Sequence, residues 1–318
     1  MSEFEPRQQT GERMAAQTAR VVVVIPCHDE VSHIAKVVRD FRAALPLAEV
    51  LVVDNGSRDG TAEAARQAGA RVIREPNPGK GNAVLAGFRA ATEADFVLMV
   101  DGDDTYPADA APALVAAGLD GADQVVGTRL QQAADGAFPA GHSVGNRLFI
   151  ALVRLLFGVR TGDLFSGYRL LSRRFLRTAP LLATGFEIEA ELTLQAARRG
   201  LTIAEIPVDY RPRGAGSTSK LETWRDGSRI LLALLTYFRD YRPLTCFGAL
   251  AALFSASALL CGWPVLVDFA ETGLVHRLPL AVLAAALFVL AALSFSCGVI
   301  LSSVNRRADE LAALIAGR

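Results

Sequence analysis

From residue 20 the chain alternates short apolar runs with longer stretches of helical spacing. "RVVVVIP" is a continuous β-branched run, the pattern of a strand buried on both faces. Val31 to Ala44 reads as a helix, and "EVLVVDNGS" as a second strand that ends in a turn. "TAEAARQAG" is a helix stopped by Gly69, "ARVIREP" a third short strand, "GNAVLAGFRAATEA" a helix and "DFVLMVDGDD" a fourth strand. Strands that alternate with helices of this length predict an α/β fold, a mostly parallel sheet with helices on both faces. In such sheets ligands sit beyond the carboxyl ends of the strands. Three of those ends carry polar clusters: "PCHDE", "DNGSRDGT" and "DGDD".

The pattern changes after residue 242. Pro243–Val267 and Leu278–Val304 hold no charged residue, and each exceeds the ~20 residues a helix needs to cross a bilayer. Two transmembrane helices are predicted, 243–267 and 278–304, joined by a short linker as a hairpin within 243–304. The 51% hydrophobic share of the chain is concentrated there. Arg225, Arg229, Arg239 and Arg242 precede the first span and Arg306 with Arg307 follow the second, while the linker offers Arg277 and His276. The positive-inside rule then predicts an integral protein of the inner or plasma membrane, with the bulk of the chain and its 305–318 tail cytoplasmic. Residues 1–19 read as a disordered leader with no secretory signal. The α/β domain is expected over 20–222, and interfacial amphipathic helices over 223–242, where arginines and aromatics accompany an apolar face.

Charge and cysteines narrow the chemistry by exclusion. Lys plus Arg equals Asp plus Glu at 33 each, so no nucleic-acid partner is expected. Cys27, Cys246, Cys261 and Cys297 have no metal-ligand spacing. "NPGKGNA" lacks the Walker spacing, and no G-x-G-x-x-G follows the first strand, which disfavours a P-loop ATPase and a dinucleotide enzyme. "VDGDDTYPAD" packs four carboxylates into one stretch. It reads either as a solvated acidic turn or as a place where Asp101 and Asp103 converge on a cation.

Taken together and in order, "VVVIPCHDE", "VVDNGSRDGTA", "NPGKGNAVLAGF", "VDGDDTYPAD" and "DLFSGYRLLSRR" resemble the successive motifs of family-two glycosyltransferases with a GT-A fold. The added hairpin makes the chain similar to the polyprenyl-phosphate branch, the group of dolichol-phosphate mannose synthases and bactoprenol glucosyltransferases. The resemblance implies that Asp101 and Asp103 hold Mg²⁺ or Mn²⁺, which bridges carboxylates and the donor diphosphate that they would otherwise repel. It further implies that Pro26, Glu30, Asp54, Lys80, Asp101, Arg213 and Lys220 bind the nucleotide sugar. Arg129, Arg147 and Ser166 match positions that meet the lipid phosphate, and guanidinium forks suit phosphate. Asp101, Asp103, Arg129 and Arg147 form the expected catalytic set. The branch commonly has Gln where Thr105 stands, so a water is expected to replace the third protein ligand, and it often has Tyr-Asn where His28-Asp29 stands, so different contacts to the base are expected.

The expected activity is inverting transfer of a hexosyl group, from a UDP-sugar in preference to GDP-mannose, to polyprenyl phosphate at the cytoplasmic face. The expected partners are nucleotide sugar, polyprenyl phosphate and the lipid bilayer, and a homo-oligomer stays open. Two other readings compete: a membrane glycosyltransferase with a glycerolipid or sphingolipid acceptor, and a non-catalytic nucleotide-binding adaptor. A neutral hydroxyl acceptor would require a base and would not require Arg129 and Arg147.

Overall fold

The computed structural model describes residues 19–129, 140–211 and 223–316. The first unit, through Leu231, is built on a seven-stranded sheet of order β3-β2-β1-β4-β6-β5-β7. The strands are β1 (Val21–Cys27), β2 (Glu49–Asp54), β3 (Arg71–Arg74), β4 (Phe96–Met99), β5 (Gln124–Thr128), β6 (Arg169–Ser172) and β7 (Ile203–Pro207). All neighbours pair in parallel except β6, which runs antiparallel to both β4 and β5. The fold expectation holds, with this one reversal in a mostly parallel sheet. It has a direct geometric result. The carboxyl ends of β4 and β5 and the segment that leads into β6 share one edge.

Helices α1 (Val31–Ala44), α2 (Thr61–Gln67), α3 (Lys80–Ala90), α4 (Ala111–Leu119), α5 (Ala140–Phe157), α6 (Arg173–Thr178) and α7 (Ile188–Arg198) complete this unit. The two-residue period of β1 divides the core. Val21, Val23, Ile25 and Cys27 pack with Ile34, Val37, Val38 and Phe41 of α1 and with Leu114 of α4. Val22 and Val24 face the other way, onto Val84 and Phe88 of α3 and Ile188 and Leu192 of α7. A strand apolar at every position is thereby buried on both faces, as the unbroken valine run requires.

A helix α8 (Thr223–Tyr241) begins before the boundary of the second unit, which comprises residues 232–318. Two long helices follow, α9 (Pro243–Thr272) and α10 (Leu278–Ala316). Gly273 ends α9 in the left-handed conformation at φ 71°, and Arg277 pairs with Asp268 across the turn at 2.9 Å. Both helices are long and apolar enough to cross a bilayer. Their large side chains stand outward: Leu260 is 77% exposed and Trp263 68%. A water-facing helix pair would not present such a surface. α10 runs past residue 304, where the uncharged stretch ends, so Arg306, Arg307 and Glu310 lie on the same continuous helix.

Candidate active site

Four strand ends and two helix starts build the site. At the end of β2, Asp54 is buried and accepts the Ser57 N–H at 3.0 Å, with the Arg74 guanidinium 4.0 Å away. The next residue, Asn55, ties the following loop. Its side-chain amide donates to the Glu75 and Asn77 carbonyls at 3.0 and 2.7 Å, and its Oδ1 accepts the Gly79 N–H at 2.8 Å. Gly79 has φ 128°, and a Cβ there would run into the Thr184 carbonyl oxygen. The "NPGK" segment is therefore fixed at both ends, and it delivers Lys80 to the first turn of α3.

Lys80 is the centre of a partly hidden ion cluster. Its ammonium donates to Asp101 Oδ1 at 2.6 Å and to Glu189 Oε1 at 2.5 Å, and it lies 5.9 Å from the centre of the Phe186 ring. Glu189, from the first turn of α7, is 3% exposed, and its second oxygen has no partner among the described residues. Burial works to lower the Lys80 pKa, but the charges of Asp101 and Glu189 outweigh it and raise it. Burial raises the pKa of Glu189, although the Lys80 charge opposes it. Asp101 is the cluster's solvent-facing member, its side chain 24% exposed. Gly167 lies against its carboxylate, and any Cβ at 167 would overlap both carboxylate oxygens.

The rest of the acidic turn points several ways. Asp103 is buried and accepts the Thr105 hydroxyl at 2.6 Å and the Thr105 N–H at 3.3 Å. Thr105, where the third ligand was sought, is thus an orienting group for Asp103. Asp104 adopts φ 59° and pairs with Lys36 at 2.7 Å and Arg211 at 3.6 Å. Of the four carboxylates, Asp101 and Asp103 remain the two at the end of β4 with the hard oxygen chemistry that Mg²⁺ or Mn²⁺ prefers. No group of three or more His, Cys, Asp or Glu suited to a metal exists among the described residues. A divalent ion fits the site as a partner of this pair: Asp101 keeps a carboxylate open to solvent beside the buried Asp103, and Glu189, on the same Lys80 ammonium, adds an orphaned buried carboxylate oxygen.

On the other side of β6 stands a closed pair. Arg129, just past β5, donates from Nε and its terminal nitrogen to Asp163 at 2.6 and 2.8 Å, and its guanidinium lies over the Tyr210 ring at 5.4 Å. Burial works to lower the Arg129 pKa, but Tyr106 and Asp163 outweigh it and raise it. Burial works to raise Asp163, and the Arg129 guanidinium overrides this to hold it below the ordinary range. Behind them Ser166 is fully buried, its hydroxyl donating to the Gly127 carbonyl at 2.5 Å, while the Tyr106 hydroxyl accepts the Gly167 N–H at 3.0 Å. Ser166 shapes this loop from within. Arg169 is also buried, its three donor positions committed to Ser166, Thr193 and Leu164 oxygens.

The remaining expected residues lie around this edge. Pro26 pairs in register with Val53, and the Glu30 N–H donates to the Thr61 hydroxyl at 2.8 Å while its carboxylate approaches His33 at 3.8 Å. The His28 ring bonds the Asn55 carbonyl at 2.9 Å, which joins the first two strand ends. Arg147 lies on α5, but its side chain falls outside the described residues, as do Arg213 and Lys220 altogether. Three participants escaped the sequence reading: Asn55, Tyr106 and Glu189. The signal for Glu189 was present in "GFEIEAELTL", where glutamates interrupt an otherwise apolar run at the start of a helix.

Comparison with known proteins agrees with this geometry. Residues 22–178 match the model of glycosyl transferase family 2. The chain is 36% identical over 239 residues to the glycosyltransferase AglJ of Haloferax volcanii, covering 75% of this chain and 78% of that one. It is 37% identical over 212 residues to the dolichyl-phosphate hexose transferase of the same organism, covering 66% and 90%. Among solved structures, glucosyl-3-phosphoglycerate synthase of Mycobacterium tuberculosis in complex with Mn²⁺ and UDP-glucose superposes with a TM-score of 0.57 at 27% identity, covering 72% of this chain and 82% of that one. This chain belongs to glycosyltransferase family 2 and is a glycosyltransferase.

Proposed function

We propose that the enzyme transfers a hexosyl group, with inversion, from a nucleotide sugar to polyprenyl phosphate at a membrane surface. The observation that carries this reading is the pairing of unlike charge sites on one sheet edge. An acidic cluster with one carboxylate open to solvent stands at the end of β4, and a buried guanidinium stands at the end of β5. A diphosphate donor needs the first, by way of a cation, and a phosphate acceptor needs the second. The solved relative with Mn²⁺ and UDP-glucose and the relative named for dolichyl phosphate support the two halves in turn. The exposed apolar faces of α9 and α10 support membrane insertion, with the sheet unit on the cytoplasmic side by the arginine bias.

In this reading Asp54 and the "PCHDE" strand end hold the nucleoside, and Lys80, with Arg213 and Lys220, is assigned to binding the diphosphate. Asp101 and Asp103 hold the divalent cation, which when bound neutralises charge on the departing nucleoside diphosphate. Arg129, fixed by Asp163 and Tyr210, and Arg147 orient the acceptor phosphate, with Ser166 supporting the loop that carries Asp163. An acceptor oxygen displaces the diphosphate at the anomeric carbon: one C–O bond forms as the other breaks. A phosphate monoester, with a second pKa of about 6, is largely ionised at neutral pH, so no side chain must take a proton. The protein's contribution is alignment and charge compensation.

The test is a panel of labelled UDP- and GDP-sugars offered to the purified full-length protein with undecaprenyl phosphate, ceramide or diacylglycerol. A labelled polyprenyl-phospho-sugar is expected, and Asp103→Ala is expected to abolish it while still folding and inserting. Product on a neutral lipid alone would overturn the acceptor, and near-normal transfer by Asp103→Ala would overturn the metal assignment.

A further inference from the structure

The Lys80 cluster contains a group that the reaction as described does not use. Glu189 is too deeply buried to meet a substrate, yet it carries one of the two carboxylates on the Lys80 ammonium. Its other oxygen is buried without a partner among the described residues. The buried Arg169 guanidinium acts on Glu189 through its charge, but its hydrogen bonds go to the Ser166 and Leu164 carbonyls and the Thr193 hydroxyl. By hydrogen bonds, one ammonium is therefore shared by two carboxylates. Asp101, the partly open member, is where a further cation can arrive.

We infer that Lys80 is a resident cation standing at Asp101 in the empty enzyme, and that Glu189 is a positioning residue which receives the ammonium when Asp101 turns to a divalent ion. This rests on the reading of Asp101 as a cation ligand. The exchange breaks one ion pair at Asp101 and makes another there, while Lys80 stays charge-paired throughout because Glu189 remains within 2.5 Å. Glu189 raises the affinity of Asp101 for the ion in two ways. It contributes negative charge nearby, and it competes with Asp101 for Lys80.

The two residues predict effects of opposite sign on Mn²⁺ binding, read without substrate or turnover. In full-length protein in detergent micelles, titrated with Mn²⁺ alone and followed by the paramagnetic resonance of the free ion, Glu189→Gln weakens binding about tenfold. Glu189→Asp, which keeps the charge, recovers most of it. Lys80→Met removes the competitor and tightens binding. A purely packing role for Glu189 would lower the melting temperature and leave Mn²⁺ affinity unmoved. Unchanged affinity in Glu189→Gln, or weaker binding in Lys80→Met, overturns the inference while the metal reading stands. Absence of Mn²⁺ binding by the unsubstituted protein overturns that reading and this inference with it. Should Lys80→Met fail to fold, the Gln and Asp variants decide alone, since Gln keeps the shape of the buried side chain.

Discussion

Two charge clusters stand on the same sheet edge and are built on opposite principles. Around Lys80 one cation serves two carboxylates, an oxygen is left over, and one carboxylate is open to solvent. Around Arg129 one cation meets one carboxylate through two parallel hydrogen bonds, and an aromatic ring covers the guanidinium face. The first cluster shares one ammonium between two carboxylates and is open at one of them, so a cation can reach it. The second is neutral, satisfied and stiff, so its arginine is already oriented before any anion arrives. The same chain thus prepares one site by leaving a carboxylate open and the other by closing its ion pair.

That contrast can be broken from either side. The largest effect is expected for Asp101→Ala, which removes the open carboxylate: the initial rate of sugar transfer should fall about 10³-fold. A loss below tenfold would mean that the open carboxylate beside Lys80 has no part in the reaction. Next comes Arg129→Ala, which leaves Asp163 buried without its partner and should cost about 3–5 kcal/mol of stability in denaturant unfolding of the sheet unit. An unchanged unfolding midpoint would mean that the pair is not the closed unit described. Gly167→Ala puts a methyl group where the Asp101 carboxylate lies. About tenfold slower transfer, with a raised Mn²⁺ requirement, is expected as the carboxylate is pushed aside. Normal kinetics would show that Asp101 reaches its place without the glycine.

The smallest effect concerns pH. Arg129 holds the folded-state pKa of Asp163 below its ordinary value of 3.8. The pair's contribution is therefore fully present above that value, and it is lost as pH falls through the depressed folded value. The melting temperatures of the unsubstituted protein and Asp163→Asn should differ at pH 6 and converge toward pH 3. A constant gap across that range would remove the ion pair as its source.

Much of the first unit was legible because its central strands are buried on both faces and its turns are rich in Gly, Asp and Asn. "RVVVVIP" admits little but a central strand, and the helix expected from Val31 to Ala44 forms over those residues. Asp101 was legible for the same reason, since polar residues after a buried strand fall at the ligand edge. Glu189 was not. Its neighbours Ile188 and Leu192 bury α7 against the sheet, and burial drags the glutamate inward, against the preference of a lone charge for water. Its meeting with Lys80 and the charge of the buried Arg169, both distant in sequence, make that placement tolerable, and pairings between distant residues leave no local periodicity to read. The roles of Tyr106 and Asn55 are hidden likewise, for both act on backbone groups of other segments.

The reversed strand has a consequence for how the chain is made. β6 fills the gap between β4 and β5, yet it is synthesised after both. Until Ser172 has left the ribosome, β4 carries an unpaired apolar rim along an empty slot and β5 lacks both of its sheet neighbours, an invitation to association with other chains. Products ending short of Arg169 should collect in aggregates, whereas those that include β6 can zip the slot shut.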